Sequence, residues 1–323
     1  MRAVRFSRIG GPEVLELVDI DMPAPKPGQV LVRHEAIGIN FIDTYHRTGL
    51  YPVKLPSGLG SEAAGVVEAV GDGVTRFKVG DPVAYAGGAL GAYAEYGVVS
   101  AERAVKPPPG IDARTAAAAL LKGMTVEFLL RRCHAVQPGE TILVHAAAGG
   151  VGQIMVQWAK TLGAVVIATV GSQDKAARAR ELGADHVILY REQDVAAEVR
   201  RITEGRGVPV AYDSVGKDTF EGTLASLARR GLFVSFGNAS GPAPAVEPGR
   251  LSRAGSLYLT RPTLFDYIAT TPELDASAEA LFALIGSGQV KVEVGQTFPL
   301  AEAAKAHEAL ESRATIGASL LIP

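Results

Sequence analysis

His145 to Gln153 reads "HAAAGGVGQ". Ahead of it, "TILVHAAA" is a short apolar run that reads as a buried strand ending at about Ala146. Behind it, "GVGQIMVQWAKTLG" has apolar residues at helical spacing, so a helix is expected from about Gly150. Ala147, Gly149 and Gly152 fall on the three spaced positions of G-x-G-x-x-G. Gly149 lets the backbone approach a phosphate, and Gly152 lets helix and strand pack closely. Alanine in first place still permits the turn if its φ is negative. Helix starts carry unpaired N–H groups and the positive end of the dipole, which suits a pyrophosphate. The same letters also suit a plain strand–helix corner without a ligand, so the flanking pattern decides.

That pattern repeats. "AVVIATVG", "HVILY", "VPVAYDSVG" and "LFVSFGN" read as strands, and "SQDKAARARELG", "DVAAEVRRITEG" and "FEGTLASLARRG" as the helices between them. Alternation at this spacing predicts an α/β fold with a doubly wound parallel sheet, which places ligands at the carboxyl ends of its strands. The first 110 residues differ. "QVLVRHEAIGIN", "AAGVVEAVG" and "GDGVTRFKVGDPVAYAG" are short Val-rich runs broken by glycine and proline turns, so this segment is β-rich. "KPPPG" at 106–110 is a rigid connector, and "DARTAAAALLKGMTVEFLLRRCHAV" is helical, with Lys122 expected near a helix start. The tail from about Thr263 ends in the strand "GASLLIP" and is expected to fold back onto the β-rich segment, leaving a cleft between two domains.

Composition narrows the function. The 323 residues carry a net charge of −2 with no like-charged block, so no nucleic-acid or anionic-membrane partner is expected. The single cysteine, Cys133, excludes an intramolecular disulfide and a multi-cysteine zinc site. No window has the length and purity of a membrane span, and "MRAVRFSRIGGPEVLEL" lacks a signal core, so a cytoplasmic location is expected.

The end of the second α/β strand selects the coenzyme. NAD sites place Asp or Glu there for the ribose hydroxyls. Here Val170, Gly171 and Ser172 stand at that point, and Lys175 follows in the next helix. A missing carboxylate and an added cation favour the 2′-phosphate of NADPH. Tyr190 ends the next strand, where it would stack near adenosine, and Asp174 serves the helix dipole. Taken singly, Lys175 and Tyr190 are also ordinary surface residues.

The chain resembles the zinc-free quinone oxidoreductases related to zeta-crystallin, within the medium-chain dehydrogenase/reductase superfamily. The matching stretches run the full length and include "AIGINFIDTYHRTGLYP", "GSEAAGVVEAVG", "KGMTVEFLL", "HAAAGGVGQIMVQWAK", "YDSVG", "SFGNASG", "GSLYLTRPTL" and "LESRATIGASLLIP". The resemblance implies a GroES-like catalytic domain over 1–122 and 263–323, with a Rossmann NADPH-binding domain over 123–262 inserted between them. It also implies a homodimer paired through the edge strand near "GSLYLT". Zinc alcohol dehydrogenases carry cysteine where this chain has Asn40 and histidine where it has Ser61. The six histidines show no metal spacing, so no metal is expected.

By the same resemblance, Asn40 and Tyr45 stand beside the nicotinamide as catalytic residues, with Phe41 packed under the ring. Thr125 lies near the nicotinamide. Gly149, Gly150 and Val151 form the pyrophosphate turn. Gly171, Ser172, Lys175 and Tyr190 form the adenosine-phosphate pocket. Ser214, Phe236, Gly237 and Asn238 end two strands along the coenzyme's path. Leu264 and Phe265 reach the carboxamide through their backbone, Arg313 comes from the C-terminal segment, and Glu62 is structural. The expected reaction is NADPH-dependent reduction of a planar quinone, which needs little electrophilic help. Reduction of activated C=C bonds in enals, enones or enoyl thioesters, with Tyr45 as proton donor, is the alternative. A non-catalytic NADPH- or RNA-binding role is a third reading, disfavoured by the neutral charge.

Overall fold

Val- and Ile-rich runs at the start of the chain form strands, as their half-buried alternation requires. The computed structural model describes residues 1–312 and 315–323. Its first strands are β1 (Arg2–Phe6), β2 (Glu16–Asp19), β3 (Gln29–Ile39), β4 (Ser57–Gly58), β5 (Glu62–Val70), β6 (Pro82–Ala86), β7 (Tyr96–Ser100) and β8 (Ala104–Val105). Helix α1 (Phe41–Thr48) follows directly on β3. β1 pairs antiparallel with β2 and β4, while β3 pairs antiparallel with β5 and β7. Val30, Val32, Ile37 and Ile39 of β3 enter a core shared with Val4, Phe6, Leu59 and Tyr93.

The chain leaves this unit within α2 (Ala113–Phe128), whose alanines 116–119 are fully buried. A π-helical segment, Leu129–Cys133, prolongs it. Lys122 therefore sits well inside α2, not at its start, because helical residues begin at Ala113. Next come β9 (Thr141–Val144), α3 (Gly150–Thr161), β10 (Val165–Val170), α4 (Gln173–Glu181), β11 (His186–Leu189), α5 (Val195–Ile202), β12 (Val208–Asp213), α6 (Phe220–Ser226), β13 (Leu227–Ser235), α7 (Pro248–Arg253), β14 (Tyr258–Thr260) and α8 (Leu264–Tyr267). The sheet order is β11-β10-β9-β12-β13-β14, parallel throughout. The order reverses between β9 and β12, the switch point at which such sheets bind ligands.

One expected helix is shorter than its letters suggest. "LARR" belongs to β13, since Leu227 pairs with Val208 across a register shift and packs at 2% exposure in the core. Burial of Leu227 against the sheet overrides the helix propensity of Ala228 to Arg230, and Arg230 turns the chain with φ 62°.

The chain then returns through α9 (Thr271–Gly286), β15 (Val294–Pro299), α10 (Ala303–Glu311) and β16 (Ala318–Ile322). β16 pairs parallel with β15 and antiparallel with β3, so the last strand completes the sheet begun by the first segment. One unit thus comprises Met1–Met124, Ile268–Ser287 and Val292–Pro323, and the other Thr125–Tyr267 with Gly288–Lys291.

Candidate active site

In the parallel-sheet unit, β9 ends at Val144 and α3 begins at Gly150, with Gly149 as N-cap. The left-handed residue of the turn is Ala146, at φ 53°; Ala147 avoids that region, as the turn requires of an alanine there. Gly152 is the position where a side chain does not fit. A Cβ there would stand 2.3 Å from the Ala146 carbonyl oxygen and 2.7 Å from Ala147 Cα. The N-cap, Gly149, has no side chain to cap the first turn of α3, whose N–H groups suit an anionic ligand.

Every other coenzyme candidate of this unit outside α2 stands just past the carboxyl end of a strand. Gly171 and Ser172 follow β10, Tyr190 follows β11, Ser214 follows β12, Phe236 to Asn238 follow β13, and Leu264 and Phe265 lie beyond β14. Because the strands are parallel, all of these lie along one edge of the sheet. Leu264 is buried and Phe265 is 37% exposed, while Thr125 is half-buried within α2. Asp213 anchors the loop after β12. Its Oδ1 accepts from the Val215 and Gly216 amides at 2.7 and 3.0 Å, and its Oδ2 from the Thr219 and Thr223 hydroxyls at 2.7 and 3.0 Å. Buried His145 closes that network through Thr223, at 2.9 Å, and Thr169, at 2.8 Å.

Ser172 N-caps α4, accepting from the Lys175 amide at 3.4 Å. The Tyr190 hydroxyl lies against Gly171, 2.7 Å from where a Cβ would be. Burial, and then the charge of Arg191, hold the Lys175 ammonium below the usual lysine range. Two cations thus converge where a dianionic phosphate would relieve their repulsion. Sequence reasoning missed Arg191, although a basic residue directly after Tyr190 was a usable signal.

In the other unit, Asn40 N-caps α1 at the end of β3, and Tyr45 is buried one turn along. Tyr45 packs edge-on against Tyr51 at 5.3 Å and lies 6.5 Å from Phe41, so Tyr51 joins an aromatic cluster that the sequence reading left out. The Asn40 amide donates to Glu62 Oε2 at 2.8 Å. Glu62 is fully buried and also accepts from Lys122 Nζ at 3.2 Å and the Leu121 amide at 2.6 Å. Gly38 makes room for it, since a Cβ there would stand 2.2 Å from Glu62 Oε2. The Ser61 hydroxyl is buried and unpartnered among the described residues. Position 40 thus offers an amide already engaged with a carboxylate, and position 61 a neutral hydroxyl, where a zinc site would need thiolate and imidazole. Among the described residues, no group of three or more His, Cys, Asp or Glu stands together to hold a metal. Arg313 lies outside the described residues.

A parallel sheet in this order, with a glycine turn at its reversal, is the frame of dinucleotide-dependent oxidoreductases. The family described as alcohol dehydrogenase GroES-like domain matches residues 26–109, and that described as zinc-binding dehydrogenase matches residues 150–283. A quinone oxidoreductase of Pseudomonas aeruginosa is 55% identical over 323 residues, covering 100% of this chain and 99% of that protein. The crystal structure of Escherichia coli quinone oxidoreductase complexed with NADPH superposes with a TM-score of 0.99, with 52% identity and 100% of both chains covered. A 2-haloacrylate reductase of a Burkholderia species is 45% identical over 321 residues, covering 97% of this chain and 96% of that protein. The chain belongs to the quinone oxidoreductases of the medium-chain dehydrogenase/reductase superfamily.

Proposed function

We propose that this protein catalyses zinc-independent reduction of quinones by NADPH. The observation that carries the reading is a full-length match, above half identity, to quinone oxidoreductases. The chain's own residues fit the coenzyme. The first turn of α3 takes the pyrophosphate, Ser172, Lys175 and Arg191 take the 2′-phosphate, and Tyr190 with Gly171 flanks the adenosine. Ser214, Phe236 to Asn238, Leu264 and Phe265 line its course along the sheet edge, and Thr125 serves the nicotinamide end. NADPH supplies the electron pair that reduces the quinone. Asn40, held by Glu62, orients the substrate or the nicotinamide by hydrogen bonding, and Phe41, Tyr45 and Tyr51 offer flat apolar surface to a planar substrate.

Among the described residues, no helix is long and apolar enough to cross a membrane, and we place the protein in the cytoplasm. β14 is a sheet edge whose Tyr258 is 62% exposed. An open edge with apolar side chains supports a homodimer paired there. The similarity to 2-haloacrylate reductase favours a second reading, reduction of an activated C=C bond with Tyr45 as proton donor. NADPH oxidation, followed at the nicotinamide absorbance, tests both. Turnover with a naphthoquinone, and much less with NADH, is expected. Turnover with an enone alone would replace the first reading by the second.

A further inference from the structure

Asn40 is held from two sides. Its side chain is tied to Glu62, and its backbone N–H donates to Asp43 Oδ2 at 2.8 Å, closing a capping box at the start of α1. Asp43 is fully buried. Its Oδ2 also accepts from the Tyr93 hydroxyl at 2.9 Å, and that hydroxyl meets His307 Nε2 at 3.1 Å. His307 Nδ1 faces Arg47 Nη1 at 3.0 Å, and Arg47 Nη2 donates to Glu311 at 2.6 Å. A continuous polar chain therefore runs through the apolar core from α10 to the first residue of α1's cap. Arg47 is 1% exposed. His307 is held down to about 3 by burial and by Arg47, so it stays neutral. Asp43 is the member of the chain raised toward neutrality.

We infer that Asp43 is a positioning residue for the reduction: as a carboxylate it fixes the α1 N-terminus that presents Asn40 and Tyr45, and on protonation it loosens that hold. This rests on the proposed roles of Asn40 and Tyr45. Several charged groups face the carboxyl. Lys122 of α2 acts on it across space, Glu62 of β5 opposes its ionisation, and Tyr93, from the segment between β6 and β7, donates to it. Burial outweighs the hydrogen bonds and pushes the carboxyl up to about 7. Its Oδ1 has no partner among the described residues, so a proton has a place to sit without displacing either donor from Oδ2. Protonation then turns two charge-assisted hydrogen bonds into neutral ones, about half as strong. Because this carboxyl is raised above its unfolded value, burying the charge is a cost fully present above about pH 7 and relieved progressively as the pH falls from there toward the unfolded value of 3.8. The ionised form thus grips α1 more firmly while costing the fold more.

Asp43→Asn is the shape of the protonated form at every pH. The first readout needs no turnover: hydrogen exchange of the peptide covering 40–48, corrected for intrinsic rates, between pH 6 and 8. The wild type should gain protection through a step near pH 7, and Asp43→Asn should show no step. In quinone reduction, wild-type kcat should rise roughly fivefold over the same window, as ionisation gains about half a charge-assisted bond, with a flat profile for Asp43→Asn. Tyr93→Phe removes one donor to the carboxylate and should move both steps to higher pH. A step that persists in Asp43→Asn, or no exchange step in the wild type, overturns the inference. An exchange step without quinone turnover at any pH would support the tie and refute the functional reading on which the kinetic arm depends.

Discussion

Glu62→Gln tests the centre of the β-rich unit. Glu62 and Lys122 form an ion pair at 3.2 Å with side chains 0% and 5% exposed. Removing one partner of such a pair leaves a buried charge uncompensated, which costs about 3–5 kcal/mol. Glutamine keeps an acceptor for the Leu121 amide, so backbone satisfaction is largely retained. However, with its oxygen on the Leu121 amide its NH2 faces both Lys122 Nζ and the Asn40 amide, which are donors. For a unit of this size the loss corresponds to roughly 6–20 °C in Tm. Urea unfolding of wild type, Glu62→Gln, Lys122→Met and the double variant at pH 7.5 gives the coupling directly. Glu62→Gln/Lys122→Met removes the stranded charge, and should recover about 2 kcal/mol or more of the single variant's loss. A single variant within about 1 kcal/mol of wild type, or a double variant no better than the sum of the singles, would refute a buried, charged pair.

Lys175→Ala should weaken NADPH binding about 10- to 150-fold, the equivalent of one charge-assisted hydrogen bond of about 1.5–3 kcal/mol, and leave NADH unchanged in a fluorescence titration. An equal loss for both coenzymes would place Lys175 away from the 2′-phosphate. Gly152→Ala drives a Cβ into the Ala146 carbonyl oxygen and should cost about 1–3 kcal/mol in thermal unfolding while weakening coenzyme binding. Stability and affinity both at wild-type level would mean that α3 and β9 have slack at this point. Tyr45→Phe should leave naphthoquinone reduction within a few-fold of wild type, but slow any enone reduction by about 10²–10⁴, the usual share of a positioned proton donor. A matching loss on the quinone would make Tyr45 a proton donor there too.

The second unit was largely legible because its signals are local. Strand–turn–helix periodicity, Gly149 and Gly152, and the missing acid after Val170 each occupy a few adjacent residues, and parallel order turns them into one sheet edge. The same local reading failed at "LARR", where pairing of Leu227 with Val208 outweighed helix-forming letters. The β-rich unit was less legible because its contacts are distant in sequence. Glu62 read as structural from its motif, but nothing nearby revealed that Lys122 of α2 and Asn40 of α1 both converge on it. Asp43, Tyr93 and His307 come from three segments far apart in the chain, each unremarkable alone. Arg191 was passed over for want of a partner in sequence, since its effect on Lys175 appears only when β10 and β11 lie side by side.

The return of the chain has a consequence for how the protein is made. β3 is flanked by β16, and α1 is braced through Arg47 by α10, so one edge of the first sheet has its partner only when the end of the chain arrives. A ribosome emits the N-terminal segment first, at about 5–20 residues per second. The parallel sheet, whose strands are contiguous in the chain, can close meanwhile, whereas the Ile37–Ile39 end of β3, beyond its pairing with β7, waits with its N–H and C=O groups exposed on one side. Such an edge is a template for pairing with other chains. Loss of the final strand would therefore be felt as aggregation of the β-rich unit, with the coenzyme-binding unit still folded.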